Sequence, residues 1–396
     1  MGIDRALLER RLDELYAIGA EPDGGAYRPL YGAAWAAAGD RVERWLKDAG
    51  LKTRRDAVGN IWGRADGTGK SIVTGSHIDT VRHGGRLDGA LGIVAGLTAV
   101  AALLKEKGKP RRPLEVVAIC EEEGSRFPTS FWGSRAIVGA IDEPDAAMAA
   151  AMRECGLDPA KIATAARDDI DTFVELHIEQ GAVLESANVP LGIVSAIAGA
   201  AHLEMTVTGR PDHAGTTPMD MRLDALAGAA AMVQAVESIA KSLGTPAVAT
   251  VGKLAALPDQ INVVPGKVVF TVDLRHSDLG GRRALEERIR SLCATISQER
   301  RLGLTIRTLQ EKPPVAMHPD VRALLARAAK ECGVQAPELV SGAGHDAQIL
   351  AARCKVGMLF VPSIGGRSHC PEEATDPAQI QLGTAVLARA LELLAY

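Results

Sequence analysis

The sequence has few cysteines, and their spacing excludes the sites that cysteine pairs usually form. Six occur in 396 residues, and none belongs to a C-x-x-C pair. A zinc knuckle or a redox dithiol is therefore not expected. The thiols are widely scattered, which is typical of reduced cysteines in a cytosolic protein, so we expect a cytoplasmic location. They are Cys120, Cys155, Cys293, Cys332, Cys354 and Cys370.

The sequence also lacks an excess of positive charge and a long apolar run. Its formal net charge of −4 gives no electrostatic reason to expect nucleic acid or an anionic membrane as a partner. The longest apolar run, residues 90–104, is broken by Gly92 and Gly96 and is too short to span a bilayer. Residues 1–20 alternate charged and apolar side chains, a pattern that predicts an amphipathic helix rather than a signal peptide.

Aromatic residues make up only 3% of the chain, whereas alanine and glycine are abundant. Small side chains let helices pack closely on strands, which favours an α/β architecture. Four short apolar runs predict buried strands, and helical periodicity over residues 92–107 separates the first two. Strands that alternate with helices predict a mainly parallel sheet covered on both faces. The four runs are residues 71–76, 113–120, 173–177 and 356–361.

The stretch between the third and fourth of these runs has a different pattern. It predicts, in order, a strand, a helix, two strands, a helix entered through Gly280 and Gly281, and a last strand. This β-α-β-β-α-β order is typical of a ferredoxin-like unit. A chain of this length usually forms two domains. We therefore predict a first domain of residues 1–199 and 311–396, interrupted by an inserted α+β domain of residues 200–310. The inserted elements are residues 202–209, 222–243, 247–257, 267–275, 282–301 and 304–310.

Histidines and carboxylates follow the predicted strands of the first domain. Taken alone, each has an ordinary explanation: a surface histidine, a helix N-cap aspartate or a solvated acidic turn. Together they lie at strand ends or in the loops that follow, where ligands of α/β proteins usually bind. Histidine nitrogen and carboxylate oxygen are the usual ligands of zinc-like ions, so the set predicts a metal site. Its members are His77, Asp88, Glu123, His177 and His369.

Three glutamates, Glu121 to Glu123, directly follow the second predicted strand. Such crowding is relieved by a metal ion or by a raised pKa of one carboxyl group, although a solvated acidic turn is an equal alternative. Neighbouring glutamates suit divided tasks, since one can bind metal while the other activates water. Asp79, two residues after His77, could fix the tautomer of that imidazole.

Six segments in this order resemble a known family. They are SHIDT, GGRLDGALG, EEEGSRF, ELHIEQG, HAGTTPM and GRSHCPEE. They are similar to the zinc aminoacylase/carboxypeptidase superfamily and, more narrowly, to its N-carbamoyl-L-amino-acid hydrolase and allantoate amidohydrolase branch (hydantoinase/carbamoylase). The resemblance extends from about Tyr31 to the C-terminus. It implies that His77, Asp88 and His177 hold one metal ion, that Asp88 bridges to a second ion bound by Glu123 and His369, and that Glu122 is the general base.

The resemblance also implies that the first domain is the catalytic, metal-binding domain and that the inserted domain is a lid and dimerisation domain. It assigns substrate contacts as well, most of them in the inserted domain. His213 matches an oxyanion-contacting histidine that reaches the site from the partner subunit of a homodimer. Asn262 and Arg275 match residues that clamp the substrate carboxylate, although a strand-end salt bridge is the structural alternative for Arg275. Gln180 is expected to line the pocket. For His345, a structural hydrogen bond and a substrate contact are equally compatible with its position.

The implied activity is hydrolysis of an amide or ureido C–N bond in a small substrate that carries a carboxylate. The implied cofactors are two divalent ions, zinc or else manganese, cobalt or nickel, because mixed histidine and carboxylate ligands accept all of them. A dipeptidase or an N-acyl-amino-acid hydrolase is the alternative enzyme. A metal-free binding protein is the alternative from another class, and it would require the loss of a ligand or of the base.

Overall fold

The computed structural model describes residues 2–396, and Met1, which begins the predicted N-terminal helix, lies outside this range. The strands are β1 (Lys52–Arg55), β2 (Ile61–Ala65), β3 (Ser71–His77), β4 (Leu114–Ile119), β5 (Ile170–Ile178), β6 (Gly192–Ile197), β7 (Gly199–Thr208), β8 (Asp212–His213), β9 (Val248–Leu257), β10 (Val263–Val264), β11 (Lys267–His276), β12 (Gly303–Lys312), β13 (Val315–Ala316), β14 (Glu338–Ser341) and β15 (Lys355–Val361).

The α-helices are α1 (Arg5–Ala17), α2 (Ala33–Asp48), α3 (Ala90–Lys107), α4 (Trp132–Ile137), α5 (Ala146–Glu154), α6 (Val183–Ser186), α7 (Ala225–Leu243), α8 (Leu279–Glu299), α9 (Pro319–Glu331), α10 (Asp346–Leu350) and α11 (Pro377–Ala395). Helix α1 confirms the predicted N-terminal helix. Within residues 2–396, no helix combines the length and apolar character needed to cross a bilayer.

Contacts divide the chain into two compact units. Unit 1 contains the residues up to Ser195 together with Met317–Tyr396, and unit 2 contains Ala196–Ala316. The boundaries predicted from the sequence, after residues 199 and 310, fall inside unit 2. The catalytic and lid roles assigned to the two parts of the chain stay predictions.

Unit 1 is built on a mixed sheet whose centre is parallel, as predicted. The strand order is β1-β2-β4-β3-β5-β15-β6-β13, with β14 beside β6. The four predicted strands are β3, β4, β5 and β15, and each pairs in parallel with its neighbour among them. The antiparallel strands at the edges were not predicted. One of them, β1, has the sequence KTRR and is mostly exposed, so it has no apolar pattern to reveal it.

Helix α3 lies against the parallel strands through small residues. It packs on β3, β4 and β5, and it is buried along most of its length. A Cβ atom at Gly92 would lie 2.6 Å from Ser76 Cβ and 2.8 Å from the Leu176 carbonyl oxygen, so only glycine allows this approach. Side chains alternate along a strand, so Leu176 and its neighbour His177 point to opposite faces of the sheet.

Unit 2 contains an antiparallel sheet of order β12-β7-β11-β9, with α7 and α8 packed on it. Alternate residues of β7 and β11, such as Leu203 and Phe270, form its core with the helices. The predicted β-α-β-β-α-β order is present. Helix α8 begins earlier than predicted because Asp278 caps it by accepting a hydrogen bond from Gly281 N, so Gly280 and Gly281 lie in its first turn.

Candidate metal centre

The parallel strands bring distant residues to one edge of the sheet. His77 is the last residue of β3, His177 lies next to the end of β5, and Glu122 and Glu123 follow β4 closely. Because β3 lies between β4 and β5, these carboxyl ends are neighbours. Asp88 lies in the turn before α3, where the cap residue is Gly89 and not Asp88. The side chain of Asp88 is thus available to the histidines.

The first group of potential ligands consists of His77, Asp88 and His177. The Nε2 atoms of His77 and His177 lie 3.4 Å and 3.2 Å from Asp88 Oδ1. All three residues are buried, and each offers a ligand atom within 4.8 Å of the others. A Cβ atom at Gly89, which has φ +65°, would lie 2.5 Å from the His77 ring. Glycine is therefore required beside this group.

The second group consists of Asp88, Glu123 and His369. Nε2 of His369 lies 3.1 Å from Asp88 Oδ2 and 3.2 Å from Glu123 Oε1. Their ligand atoms also lie within 4.8 Å of one another. His369 adopts a left-handed conformation with φ 57°, a strained geometry that is frequent at functional sites. The two oxygens of Asp88 thus face one group each, as a bridging carboxylate requires.

The second nitrogen of each buried imidazole has its own partner. His77 Nδ1 lies 3.2 Å from Asp79 Oδ1, and His177 Nδ1 donates to the Ile178 carbonyl at 2.9 Å. When Nδ1 donates, the Nε2 of a neutral imidazole presents a lone pair. A lone pair that faces a carboxylate oxygen requires a proton or a cation between them. The hydrogen bond to Asp79 supplies the orienting contact expected from the sequence.

The charges of the site shift its pKa values strongly. Burial alone would raise the pKa of Asp88, but hydrogen bonds from His177, His369 and His77 hold it well below its ordinary value. Hydrogen bonds to Asp88 and Glu123 raise the pKa of His369 to about 10. In the absence of a cation, the site would therefore hold protons on its histidines. Metal ions would displace those protons.

The three consecutive glutamates have three different surroundings. Glu121 accepts from Ser125 N and from Ser125 Oγ, both at 2.7 Å, and burial followed by the charge of Asp79 raises its pKa to about 9. Glu123 belongs to the second group of ligands. Glu122 is buried beside it, and burial together with the charge of Glu123 raises the pKa of Glu122 well above its ordinary value. Glu122 is thus a buried carboxyl group that lies close to His77 and Glu123 and belongs to neither of the two groups.

Gln180 and His345 also lie in this region. The Gln180 amide nitrogen donates to Asp88 Oδ2 at 2.9 Å, and Gln180 shares the left-handed conformation of His369, with φ 59°. His345 is buried, and its Nε2 lies 2.9 Å from Ser341 Oγ. Burial and then the charge of His177 lower the pKa of His345 well below its ordinary value, so it stays neutral. A structural hydrogen bond, one of the two alternatives for His345, is therefore present, and the substrate contact stays a prediction.

Three residues beside the site were missed from the sequence. Glu373 accepts hydrogen bonds from Leu87 N and Asp88 N, and Ser368 Oγ lies 3.2 Å from Asp88 Oδ2. Arg28 is a fully buried arginine that donates to the Ile78 carbonyl, between His77 and Asp79. Glu373 and Ser368 lie in the GRSHCPEE segment, so the motif was the available signal. For Arg28 we find no such signal.

Unit 2 contains the other predicted substrate residues. His213 and Asn262 lie in neighbouring segments, where Ala214 N donates to the Asn262 carbonyl at 3.0 Å. His213 Nδ1 accepts from Gly215 N and Thr216 N at 3.0 Å and 3.2 Å, so a neutral His213 carries its proton on Nε2. Arg275 donates to Asp273 through Nε and Nη2, at 3.0 Å and 2.7 Å. The salt bridge considered from the sequence is therefore present.

The donor atoms fit divalent cations. Three imidazole nitrogens and carboxylate oxygens form two groups that share Asp88, a composition that suits zinc, manganese, cobalt or nickel. Two further combinations are close enough to bind an ion, and both reuse residues of this region. One is His77, Glu122 and Glu123, and the other is Glu175, His177 and His345.

Comparisons with known proteins agree with this geometry and with the resemblance found in the motifs. The chain is 39% identical to the allantoate amidohydrolase of Escherichia coli (strain K12), over 99% of this chain and 98% of the relative. It is 40% identical to the N-carbamoyl-L-amino acid amidohydrolase of Geobacillus stearothermophilus, over 96% of both. A crystal structure of an amidase of the hydantoinase/carbamoylase family from Burkholderia multivorans matches with a TM-score of 0.94 and 33% identity, over 99% of this chain and 98% of that one. The sequence model of peptidase family M20/M25/M40 matches residues 73–393 of the chain, and the chain therefore belongs to this family.

Proposed function

We propose that the protein is a divalent-metal-dependent amidohydrolase that cleaves the C–N bond of an N-carbamoyl or ureido derivative of a small carboxylic acid. One observation carries the proposal: two groups of metal-ligating side chains share Asp88, and Glu122 lies beside them. Two relatives of nearly the same length are named for allantoate and for N-carbamoyl-L-amino acids. Both kinds of compound contain a ureido group and a carboxylate, so this shared chemistry defines the proposed substrate class.

The proposed ligands are His77, Asp88 and His177 for one ion and Asp88, Glu123 and His369 for the other. Bound there, the ions would act as Lewis acids that polarise the substrate carbonyl and make water more acidic. Glu122 then takes a proton from the attacking water and delivers it to the leaving nitrogen, as a general base and acid. With a carbamoyl substrate, the products are the amine, ammonia and carbon dioxide.

Substrate recognition is assigned to residues of unit 2 and to Gln180 and His345 of unit 1. His213 supports this role because its Nδ1 accepts backbone hydrogen bonds, which leaves Nε2–H to donate to the oxygen of the reacting carbonyl. Arg275 supplies a planar guanidinium that suits a carboxylate, and Asn262 supplies an amide. We further propose a homodimer formed through unit 2, a cytoplasmic location, and zinc, manganese, cobalt or nickel as the native metal.

A substrate panel tests the proposed activity. Chelator-treated enzyme is reloaded with each of the four metals and assayed with N-carbamoyl-L-amino acids, allantoate, 3-ureidopropionate, dipeptides and N-acetyl-amino acids. Ammonia release from one or more of the first three, at a higher kcat/KM than for the others, is the expected result. Preference for dipeptides or N-acetyl-amino acids would replace the proposal with the alternative hydrolase. Protein that binds no divalent metal would refute the metal-dependent mechanism.

A further inference from the structure

Glu373 lies four residues after His369 in the loop between β15 and α11, and the residue is only 5% exposed. Its Oε1 atom accepts hydrogen bonds from Leu87 N at 2.7 Å and from Asp88 N at 3.0 Å. One carboxylate oxygen of Glu373 thus fixes the backbone at Asp88, the residue that belongs to both groups of potential ligands.

The other oxygen of Glu373 contacts the loop that carries His369. Ser368 Oγ, in the residue before His369, donates to Glu373 Oε2 at 2.7 Å and lies 3.2 Å from Asp88 Oδ2. A hydroxyl group has one proton to donate, and the shorter of the two distances favours Glu373 Oε2 as its acceptor. Glu373 therefore joins two loops that are at least 280 residues apart in sequence and that carry ligands of the same proposed ion.

The backbone of the Asp88 turn is pressed against this carboxylate. A Cβ atom at Gly85 would lie 2.2 Å from Glu373 Oε1 and 2.3 Å from its Cδ. No side chain can occupy that position without moving Glu373. The turn before Asp88 and the Glu373 carboxylate therefore fit each other closely.

A carboxylate is an unfavourable choice for packing alone at this position. An apolar side chain of similar volume often packs at least as well as a buried charged group. What an apolar side chain cannot supply is the acceptor for the two backbone amides and the hydroxyl group.

We propose that Glu373 is a positioning residue that fixes the Asp88 carboxylate relative to His369, and so maintains the distance between ligands of the second ion. This inference rests on the proposed function, because it assumes that Asp88, Glu123 and His369 bind a metal ion. Residues that orient metal ligands typically change metal affinity by about 10–100-fold when they are removed. We expect that size of effect on the ion held by Asp88, Glu123 and His369.

The test is a calorimetric titration of chelator-stripped protein with Mn²⁺ and, separately, with Zn²⁺. A His369→Ala variant identifies which binding event belongs to the second group of ligands. Glu373→Ala should weaken that event by about 10–100-fold, and it should weaken the other event less, because the two groups share Asp88 but only the second contains His369. Glu373→Gln should lie in between, because its amide oxygen still accepts from Leu87 N and Asp88 N while its amide nitrogen cannot accept from Ser368.

The neighbouring residue provides a matched control. Glu372 is exposed and pairs with Arg367 at 2.8 Å, so Glu372→Ala should bind both ions as the unchanged protein does. Should Glu373→Ala fail to fold, Ser368→Ala removes one of the three contacts and should weaken the same event. Two ions bound with unchanged affinity by the Glu373 and Ser368 variants would overturn the inference and leave the proposed function intact. An equal loss of affinity for both ions would also overturn the inference. Unchanged protein that binds no ion would refute the proposed function itself.

Discussion

The two ends of the same parallel strands hold two buried polar clusters of different kinds. At the start of the strands, Glu115 accepts from Arg64 at 2.5 Å, from Arg167 at 2.8 Å and 3.0 Å, and from Ser71 at 2.6 Å. Arg167 also lies over the Trp62 ring at 4.5 Å. At the opposite end, the partners of Asp88 are imidazoles.

The two clusters differ in the groups that balance the charge of the buried carboxylate, which are guanidinium groups at Glu115 and imidazoles at Asp88. A guanidinium cannot release its proton in a protein, so the Glu115 cluster is a permanent ion pair that can only stabilise the fold. An imidazole can give up its proton and bind a metal ion through the same nitrogen. Both clusters compensate a buried carboxylate, but only the histidine cluster can exchange protons for cations. The comparison predicts different responses when each end is altered.

The largest expected effect comes from removal of the ions. Chelation should abolish turnover, and it should lower the free energy of unfolding by about 4 kcal/mol for each ion that had been present at about 1,000 times its Kd. Calorimetric melting and assays before and after dialysis measure both changes, and added metal should reverse them. A chelated protein that keeps its melting temperature and its activity would show that the histidine cluster, like the Glu115 cluster, needs no bound cation.

Replacement of the proposed base is expected to have the next largest effect. Glu122→Gln keeps the size of the side chain but cannot accept a proton, so kcat should fall by about 10²–10⁴-fold. Metal content, measured by elemental analysis, should stay unchanged because Glu122 is not one of the five proposed ligands. A variant with normal kcat would remove Glu122 from the mechanism.

At the other end of the strands, Arg167→Met should affect stability and not catalysis. It leaves Glu115, which is only 1% exposed, without its main partner, and breaking such a buried pair costs about 3–5 kcal/mol. Denaturant unfolding measures the loss, and kcat/KM at a temperature where the variant is folded should match that of the unchanged enzyme. The control Arg327→Met, which breaks an exposed pair with Glu331, should cost less than about 1 kcal/mol. A large loss of metal affinity in Arg167→Met would contradict the separation of the two ends.

Arg275 offers a third kind of cluster, a partly exposed pair with Asp273. Arg275→Ala should raise KM for carboxylate-bearing substrates by about 10–100-fold, since a charge-assisted hydrogen bond contributes roughly 1.5–3 kcal/mol. The free energy of unfolding should change little, because partly exposed ion pairs contribute little to stability. Steady-state kinetics with a substrate and with its analogue, in which an amide replaces the carboxylate, measure the effect. The KM of the carboxylate substrate should rise, and the KM of the amide analogue should change little. An unchanged KM would remove Arg275 from substrate binding.

The smallest expected effect is on acid stability. Burial acts to raise the pKa of Glu115, but hydrogen bonds from Arg167 outweigh it and hold the pKa below its ordinary value. The stabilisation is therefore present above the unfolded pKa of about 4.3 and is lost as the pH falls through the lower folded value. Glu115→Gln should be less stable than the unchanged protein at pH 7, and this difference should narrow below about pH 4.3. A difference that is constant from pH 7 to pH 3 would contradict the assignment.

The sequence predicted the parts of the fold that carry a strong pattern. The four parallel strands are short apolar runs, and the inserted unit alternates clearly along β7 and β11, so both were found. The edge strands were not found, because a mostly exposed strand such as β1 has no apolar pattern and is defined only by its pairing with β2. His77 and His177 were found as well, because each comes directly after or at the end of a predicted strand. The carboxyl ends of parallel strands meet at the same edge of the sheet.

The remaining details of the site depend on contacts between distant residues. Taken alone, Asp88 is indistinguishable from a helix cap, and only its histidine partners show otherwise. The sequence also contains no signal that Glu373 points inward and Glu372 outward, because a loop has no periodicity. Glu373 lies 286 residues from Leu87, its hydrogen-bond partner.

Anomalous diffraction at the absorption edge of the bound metal tests the central claim most directly. Crystals of manganese- or zinc-loaded protein should show two peaks, one among His77, Asp88 and His177 and the other among Asp88, Glu123 and His369. A single peak among Glu175, His177 and His345, or no peak near Asp88, would contradict the account.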